Sequence, residues 1–292
     1  RSKPPVGVAT DLPFSPRNAQ AFTSNASALI AFDPPANLRT AQVTEYVVKN
    51  LKTGAEKKAQ SSPVLVTGLK NGTSYTFSAT ATNSTGTSSG TTSSAVTPAG
   101  KPDAPTGVNA VSGNGSATVS FIAPTVTGGP AIASYTVTAS PGGASCTVNA
   151  PATSCAVSGL TNGTGYTFAV TANNGLFTSS ASTASSSVVP ATVPDAPTSV
   201  TATSSTSGSA TVAFTAPVSN GGSAITGYRI TSSPAGATCV VGANATTYTC
   251  TGLTDGTAYT FGVVAINNVG NSVSATSSAV TTQGAASAPT TI

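Results

Sequence analysis

Residues 68–77 read Gly-Leu-Lys-Asn-Gly-Thr-Ser-Tyr-Thr-Phe, and this stretch decides the fold because close copies of it occur twice more. The copies lie at residues 159–168 and 252–261, at spacings of 91 and 93 residues. A second marker, Pro-Asp-Ala-Pro-Thr, begins at Pro102 and again at Pro194, 92 residues apart. Solenoid repeats are usually shorter than this, so each repeat is predicted to be a complete small domain.

Within a repeat, apolar residues alternate with small or polar ones. Residues 116–121 (Ser-Ala-Thr-Val-Ser-Phe) show this period of two, as do residues 134–137 and 166–170. Such a period is typical of strands with one buried face. Gly, Pro and Asn clusters separate the segments, for example at 128–130 and 141–143. About seven short strands per repeat, without helical periodicity, predict an all-β fold of antiparallel β-sandwiches.

The repeated stretch resembles the corner before the sixth strand of fibronectin type III domains. The resemblance implies that its tyrosine is a corner residue whose hydroxyl bonds to nearby backbone; the residues are Tyr75, Tyr166 and Tyr259. Phe32, Phe121 and Phe214 stand where that family usually has a tryptophan, and each precedes a proline by three residues. The resemblance covers residues 16–286 and implies three tandem immunoglobulin-like sandwiches in an extended rod. The Ser/Thr/Ala/Gly-rich style resembles bacterial surface and secreted versions of the domain.

These observations divide the chain into five parts. We predict an N-terminal extended tail (1–15), module 1 (16–100), module 2 (101–192), module 3 (193–286) and a C-terminal tail (287–292) that resembles the start of a further module. The junctions at 98–102 and 190–194 are short and contain prolines, which favours stiff, extended linkers. Two explanations of the tails remain open: a fragment of a longer protein, or strand addition to a neighbouring copy.

Four cysteines fall in two modules. Cys146 and Cys155 lie in module 2, and Cys239 and Cys250 lie in module 3. Local pairing predicts one disulfide in each module, each stabilising its module by about 2–3 kcal/mol. A metal held by four thiolates needs closer spacing and is not favoured. Disulfides imply an oxidising compartment. Module 1 has a charged segment at 54–58 instead, interpreted as a solvated hairpin tip or a contact surface.

Composition excludes several kinds of function. Without histidine, a Ser-His-Asp triad cannot form, and the seven carboxylates are scattered over three repeats, so we expect no enzyme activity, cofactor or metal. Dilute positive charge argues against nucleic acid as a partner. Aromatic residues recur at predicted core positions, so no exposed aromatic platform is expected. The glycosylation sequons at Asn71 and Asn162 are explained by the turn that they occupy. No apolar run approaches the length of a membrane span, and no apolar leader opens the chain.

Three functional classes remain. The first is a non-catalytic extracellular or cell-surface structural protein, either a spacer or stalk or a head-to-tail filament subunit. Charge is compatible with the filament, since residues 1–101 carry ten basic and four acidic residues while the remainder carries one and three. The second is an adhesive surface protein, and the third is a set of accessory modules of a secreted carbohydrate-active enzyme. Expected partners are further copies of the chain, through tails or module ends, and cell-surface or matrix components.

Overall fold

The computed structural model describes residues 11–36 and 42–284. Throughout these residues the regular secondary structure is β-strand, and every strand pairing is antiparallel. Each module has two sheets that face one another across a core. The predicted all-β fold of tandem sandwiches is therefore confirmed.

Module 1 has its core between the sheet β1-β2-β5 and a second sheet around β3 and β6. Its strands are β1 (Arg17–Ser24), β2 (Ser27–Asp33), β3 (Glu45–Asn50), β4 (Glu56–Ala59), β5 (Val64–Thr67), β6 (Phe77–Asn83), β7 (Gly86–Thr87) and β8 (Thr91–Thr92). The two sheets bury Ile30, Val48 and Phe77 almost completely. We call the sheet with the first, second and fifth strands the first sheet of each module.

Module 2 repeats this arrangement with fewer regular strands near its end. They are β9 (Thr106–Gly113), β10 (Ser116–Ile122), β11 (Ser134–Ser140), β12 (Ser145–Asn149), β13 (Ser154–Ser158) and β14 (Thr167–Asn173). The first sheet is β13-β10-β9 and the second is β12-β11-β14. Along β10 buried and exposed residues alternate, as the sequence period predicts, and Val119 and Phe121 point into the core.

Module 3 returns to eight strands. They are β15 (Thr198–Ser204), β16 (Ser209–Thr215), β17 (Ile225–Ser233), β18 (Thr238–Gly242), β19 (Thr247–Thr251), β20 (Ala258–Asn267), β21 (Ala275–Thr276) and β22 (Val280–Thr281). Phe214 and Tyr228 meet in its core with ring centroids 4.7 Å apart, and Phe32–Tyr46 and Phe121–Tyr135 pack in the same way in modules 1 and 2. Burial raises the pKa of Tyr135 and Tyr228. Phenylalanine thus fills the core position at which the resemblance to fibronectin type III domains led us to expect tryptophan.

The segment after the sixth strand of each module contains short strands at most, and serine side chains also hold it to the sixth strand. The backbone amides of Phe77, Phe168 and Phe261 donate hydrogen bonds to the hydroxyls of Ser93, Ser185 and Ser277. Each of these hydroxyls donates in turn to the carbonyl of the next residue. The serines are buried, and their hydroxyls replace the carbonyls that a regular partner strand would offer.

Candidate functional site

The three predicted corner tyrosines lie in equivalent places. Tyr75, Tyr166 and Tyr259 are all buried, with 8% exposure or less. Each phenolic oxygen accepts a hydrogen bond of 3.1 Å from the amide of the residue five positions earlier: Lys70, Thr161 and Thr254. In module 3 this amide bond lowers the pKa of Tyr259, because it stabilises the phenolate. The tyrosine therefore fixes the turn that leads into the sixth strand.

The residue that follows Lys70, Thr161 or Thr254 links this corner turn to the turn between the first two strands of its module. Asn71 accepts from the Ala26 amide and donates to Asn25, at 2.8 Å each. Asn162 makes the same two bonds to Gly115 and Asn114. The side-chain amides of both sequon asparagines are thus engaged within the fold.

Module 3 has an aspartate at this position. Asp255 accepts from the Ser207 hydroxyl and from the Gly208 amide. These two bonds, the hydroxyl first, lower the pKa of the Asp255 carboxyl. Module 3 is therefore the one of the three in which a carboxylate, rather than a neutral amide, ties the two turns together.

The two cysteine pairs differ in the structure. Cys146 on β12 and Cys155 on β13 form a disulfide that joins the two sheets of module 2. Cys239 on β18 and Cys250 on β19 are free thiols whose sulfur atoms lie 2.7 Å apart, so the second predicted bridge is not present. Burial, followed by the contact with Cys239, raises the pKa of Cys250 to about 12.

A difference in register separates the two pairs. Cys155 lies opposite Val119 on β10, two residues before Phe121. The equivalent of Val119 in module 3 is Val212, but Cys250 lies opposite Ala210, two residues earlier on β16. Cys250 thus takes the place that Val157 has in module 2. The first cysteines are equivalent, since Cys146 pairs with Val137 and Cys239 with Ile230.

The linkers are hydrogen-bonded to the modules on both sides. At the first junction the Gly72 amide donates to the Pro98 carbonyl, and the Gly100 amide donates to the Gly128 carbonyl. The side chain of Asn174, which is 4% exposed, donates to the carbonyls of Gly100 and Thr127. The linker is therefore anchored first to module 1 and two residues later to module 2.

The second junction repeats this pattern. The Gly163 amide donates to Pro190, the Thr192 amide donates to Gly221, and Asn267 donates to Thr192 and Asn220. Both linkers thus have the same upstream and downstream anchors. The predicted stiffness of the linkers has a specific basis in these bonds as well as in proline content.

At each junction the corner turn of one module touches a glycine pair of the next. A Cβ atom added to Gly129 would lie 2.6 Å from the Gly72 nitrogen, and one added to Gly222 would collide with the Gly163 nitrogen. Both glycines also have positive φ, which side chains rarely adopt. Backbone packs directly on backbone here, so each junction depends on glycine.

Part of the predicted N-terminal tail is bound to module 1. Asn83 donates to the Asp11 carbonyl, in the manner of Asn174 and Asn267, and the Ser15 hydroxyl donates to the Ser89 carbonyl. Residues 11–15 thus lie where a linker lies in the other modules. Residues 1–10 and the predicted C-terminal tail are outside the described residues.

Sequence reasoning missed the junction asparagines and the serine hydroxyls. Asn83, Asn174 and Asn267 recur at 91 and 93 residues, as the corner tyrosines do, and Ser93, Ser185 and Ser277 recur at 92. An alignment of the three repeats that included their polar residues would have identified these asparagines and serines. Sequence reasoning also missed two exposed phenylalanines outside the recurring core positions, Phe14 and Phe22, which are 57% and 50% exposed.

Among residues 11–36 and 42–284 no three His, Cys, Asp or Glu side chains lie close enough to hold a metal ion. In the same ranges no helix is long and apolar enough to cross a membrane. The ion pairs Lys49–Glu56 and Lys58–Glu45 lie on the second sheet of module 1 and are largely exposed.

Comparison with family models, curated proteins and solved structures gives matches of all three kinds. The family model for the fibronectin type III domain matches residues 103–188 and 195–283, more than half of the chain. Among curated proteins, Chitinase A1 of Niallia circulans is 40% identical over 151 residues, which is 49% of this chain and 21% of that protein. Exoglucanase B of Cellulomonas fimi is 39% identical over 145 residues, 47% of this chain and 13% of that protein.

The chain therefore spans only a small part of these curated relatives. Among solved structures, the FN1–FN3 domains of chicken CNTN1 align with 94% of this chain and 100% of that chain, at 18% identity and a TM-score of 0.37.

Proposed function

This chain belongs to the fibronectin type III domain family, and we propose that it is a non-catalytic extracellular spacer that holds its neighbours at a fixed distance and angle. The observation that carries this proposal is the doubled junction. Each linker is bonded to both of its modules, and each junction places backbone against backbone at a glycine pair. A flexible tether would need none of these contacts.

The setting that we propose for this spacer is a secreted, multidomain, carbohydrate-active protein. The relatives that match half of the chain are named as a chitinase and an exoglucanase, and the match covers a small part of each. Such a part can serve as an accessory region beside a catalytic domain. Extracellular location is supported by the Cys146–Cys155 disulfide, which persists in oxidising compartments.

Small-angle X-ray scattering on the full chain tests the spacer role. A compact globule of this length would have a radius of gyration of about 19 Å, and a stiff row of three modules should exceed it clearly. Gly129→Ala and Gly222→Ala should each broaden the distribution of interatomic distances, because the added Cβ atom cannot fit at the junction.

Gly142→Ala is the matched control. Gly142 also has positive φ, but an added Cβ atom would meet nothing within 4 Å, so this variant has the backbone strain without the collision. Its scattering curve should match that of the parent chain. If the parent chain already scatters as a flexible ensemble, or the junction variants scatter as the parent does, the proposed role is wrong.

A further inference from the structure

The outer face of the first sheet of module 1 carries a stripe of large apolar side chains. Phe22 on β1 lies opposite Leu29 on β2, and Leu29 lies opposite Leu65 on β5. All three point away from the core and are 50%, 36% and 50% exposed. At ordinary strand spacing the stripe spans about 10 Å across the three strands. We call these three residues the apolar stripe.

The other modules show that the fold does not require this stripe. Strand register places Val111, Thr118 and Ala156 at the same positions in module 2. In module 3 the three positions hold Thr203, Thr211 and Thr249. Threonine therefore supports the same sheet, with the same pairing, on the same solvent-facing side. A contiguous exposed apolar patch that folding does not need indicates an interaction surface.

The surroundings of the apolar stripe indicate an uncharged partner. Two residues along the strands, the same face carries the exposed side chains of Gln20 and Ser24 on β1 and Thr67 on β5. These groups are neutral hydrogen-bond donors and acceptors. The lysines of Lys49–Glu56 and Lys58–Glu45 belong to the second sheet, on strands β3 and β4. A partner bound by its negative charge would be expected to contact that sheet instead.

We propose that the apolar stripe binds the surface of a neutral, insoluble polysaccharide such as chitin or a β-glucan. The proposal rests on the accessory role proposed above. The C–H faces of sugar rings would lie on Phe22 and the two leucines, removing apolar area from water on both sides. Sugar hydroxyls and amides would bond to Gln20, Ser24 and Thr67 along the edges of the stripe.

Sedimentation with microcrystalline cellulose and with chitin tests the proposal on the full chain. The parent chain should pellet with at least one of the two polymers. The triple variant Phe22→Thr, Leu29→Thr, Leu65→Thr, which installs the residues of module 3, should bind at least tenfold more weakly. Circular dichroism establishes that this variant is folded, and Phe22→Thr alone provides the readout if it is not.

The control variant removes three exposed apolar side chains elsewhere: Leu51→Thr, Val218→Thr, Val240→Thr. Because these positions are 48%, 97% and 70% exposed and lie apart from the stripe, binding should match the parent chain. The proposal is overturned if the parent chain stays in the supernatant with both polymers, or if the triple variant binds equally well. It is also overturned if light scattering shows that the stripe joins two copies of the chain. X-ray scattering of the junction variants tests the spacer role separately. The polysaccharide-binding proposal and the spacer proposal can therefore be disproved independently.

Discussion

Single residues fix the corner turns, and the tyrosine hydroxyl is the group that matters. Tyr166 is buried, and its oxygen accepts from the Thr161 amide at 3.1 Å. Tyr166→Phe should lower the free energy of unfolding of module 2 by about 1–3 kcal/mol, because the buried amide loses its acceptor. Thermal and urea melts of the full chain would measure the loss. An unchanged melt would mean that the hydroxyl has no role in the turn.

The Asp255 turn makes a prediction about pH. Its folded-state pKa is lowered, so the stability from its bonds is present at neutral pH and is lost as the pH falls below about 4, through the folded pKa. The turn that Asp255 holds in module 3 should therefore weaken in acid, whereas the equivalent turns of modules 1 and 2, held by asparagine, should not. Amide hydrogen exchange around residues 204–212, compared at pH 7 and pH 3, would detect local opening after correction for the intrinsic exchange rate.

Asp255→Asn is the matched variant, since asparagine occupies this position in the other two modules. It should remove most of the acid sensitivity of that turn while leaving the fold unchanged. Equal acid sensitivity in the parent chain and in this variant would contradict the assignment.

Among elements, the pair β18 and β19 makes the sharpest prediction. The sulfur atoms of Cys239 and Cys250 are 2.7 Å apart, and these strands belong to different sheets. With oxidised glutathione, the two thiols should be oxidised to a disulfide while glutathione is reduced. The bridge should stabilise module 3 by about 2–3 kcal/mol. Non-reducing peptide mapping would identify the pair.

The variant Cys146→Ser, Cys155→Ser keeps only the second pair and serves as the control for cross-module bonds. In the reduced, folded chain Cys250 should resist iodoacetamide, because the thiol is fully buried and its pKa is raised to about 12. Rapid labelling of Cys250 would contradict its burial. A bond between a module 3 cysteine and a module 2 cysteine would show that the predicted pairing is wrong.

Strand prediction from the period of two succeeded where strands are regular and stopped where they are not. The alternation at 116–121 marks β10, whose buried and exposed residues follow it. After β14 apolar and polar residues no longer alternate, so the sequence predicts no strand there. In the structure, the hydroxyls of Ser182 and Ser185 accept hydrogen bonds from the amides of Val170 and Phe168. A serine-rich segment looks like a loop in sequence, although its hydroxyls complete a sheet.

At the scale of the whole molecule, head-to-tail assembly into a fibre remains a prediction. Charge permits an end-to-end contact, within about 10 Å at physiological salt.

The tails provide the test of assembly. Deleting residues 1–10, which leaves the bound segment from Asp11 in place, should abolish fibres if that tail is the connector. Electron microscopy and light scattering at high protein concentration would measure this. A parent chain that stays monomeric, or a truncated chain that still forms fibres, would contradict the prediction.

The sequence by itself determined the sandwich fold, and it predicts the three modules and their corner tyrosines. These depend on contacts within one repeat, and three copies of a short pattern make such contacts readable. The glycine pairs are also visible as turn signals at 128–130 in the sequence. Their role is not visible there, because Gly129 meets Gly72 across a module boundary.

The tertiary structure alone decided the junctions, the state of the second cysteine pair and the apolar stripe. Asn174 donates to the Gly100 carbonyl, 74 residues earlier in the chain, and no local sequence pattern predicts a contact between residues so far apart. Phe22, Leu29 and Leu65 look like core residues in sequence, since period two marks a face without saying which side is buried. Only the packing of one sheet against the other chooses that side, and it leaves these three in water.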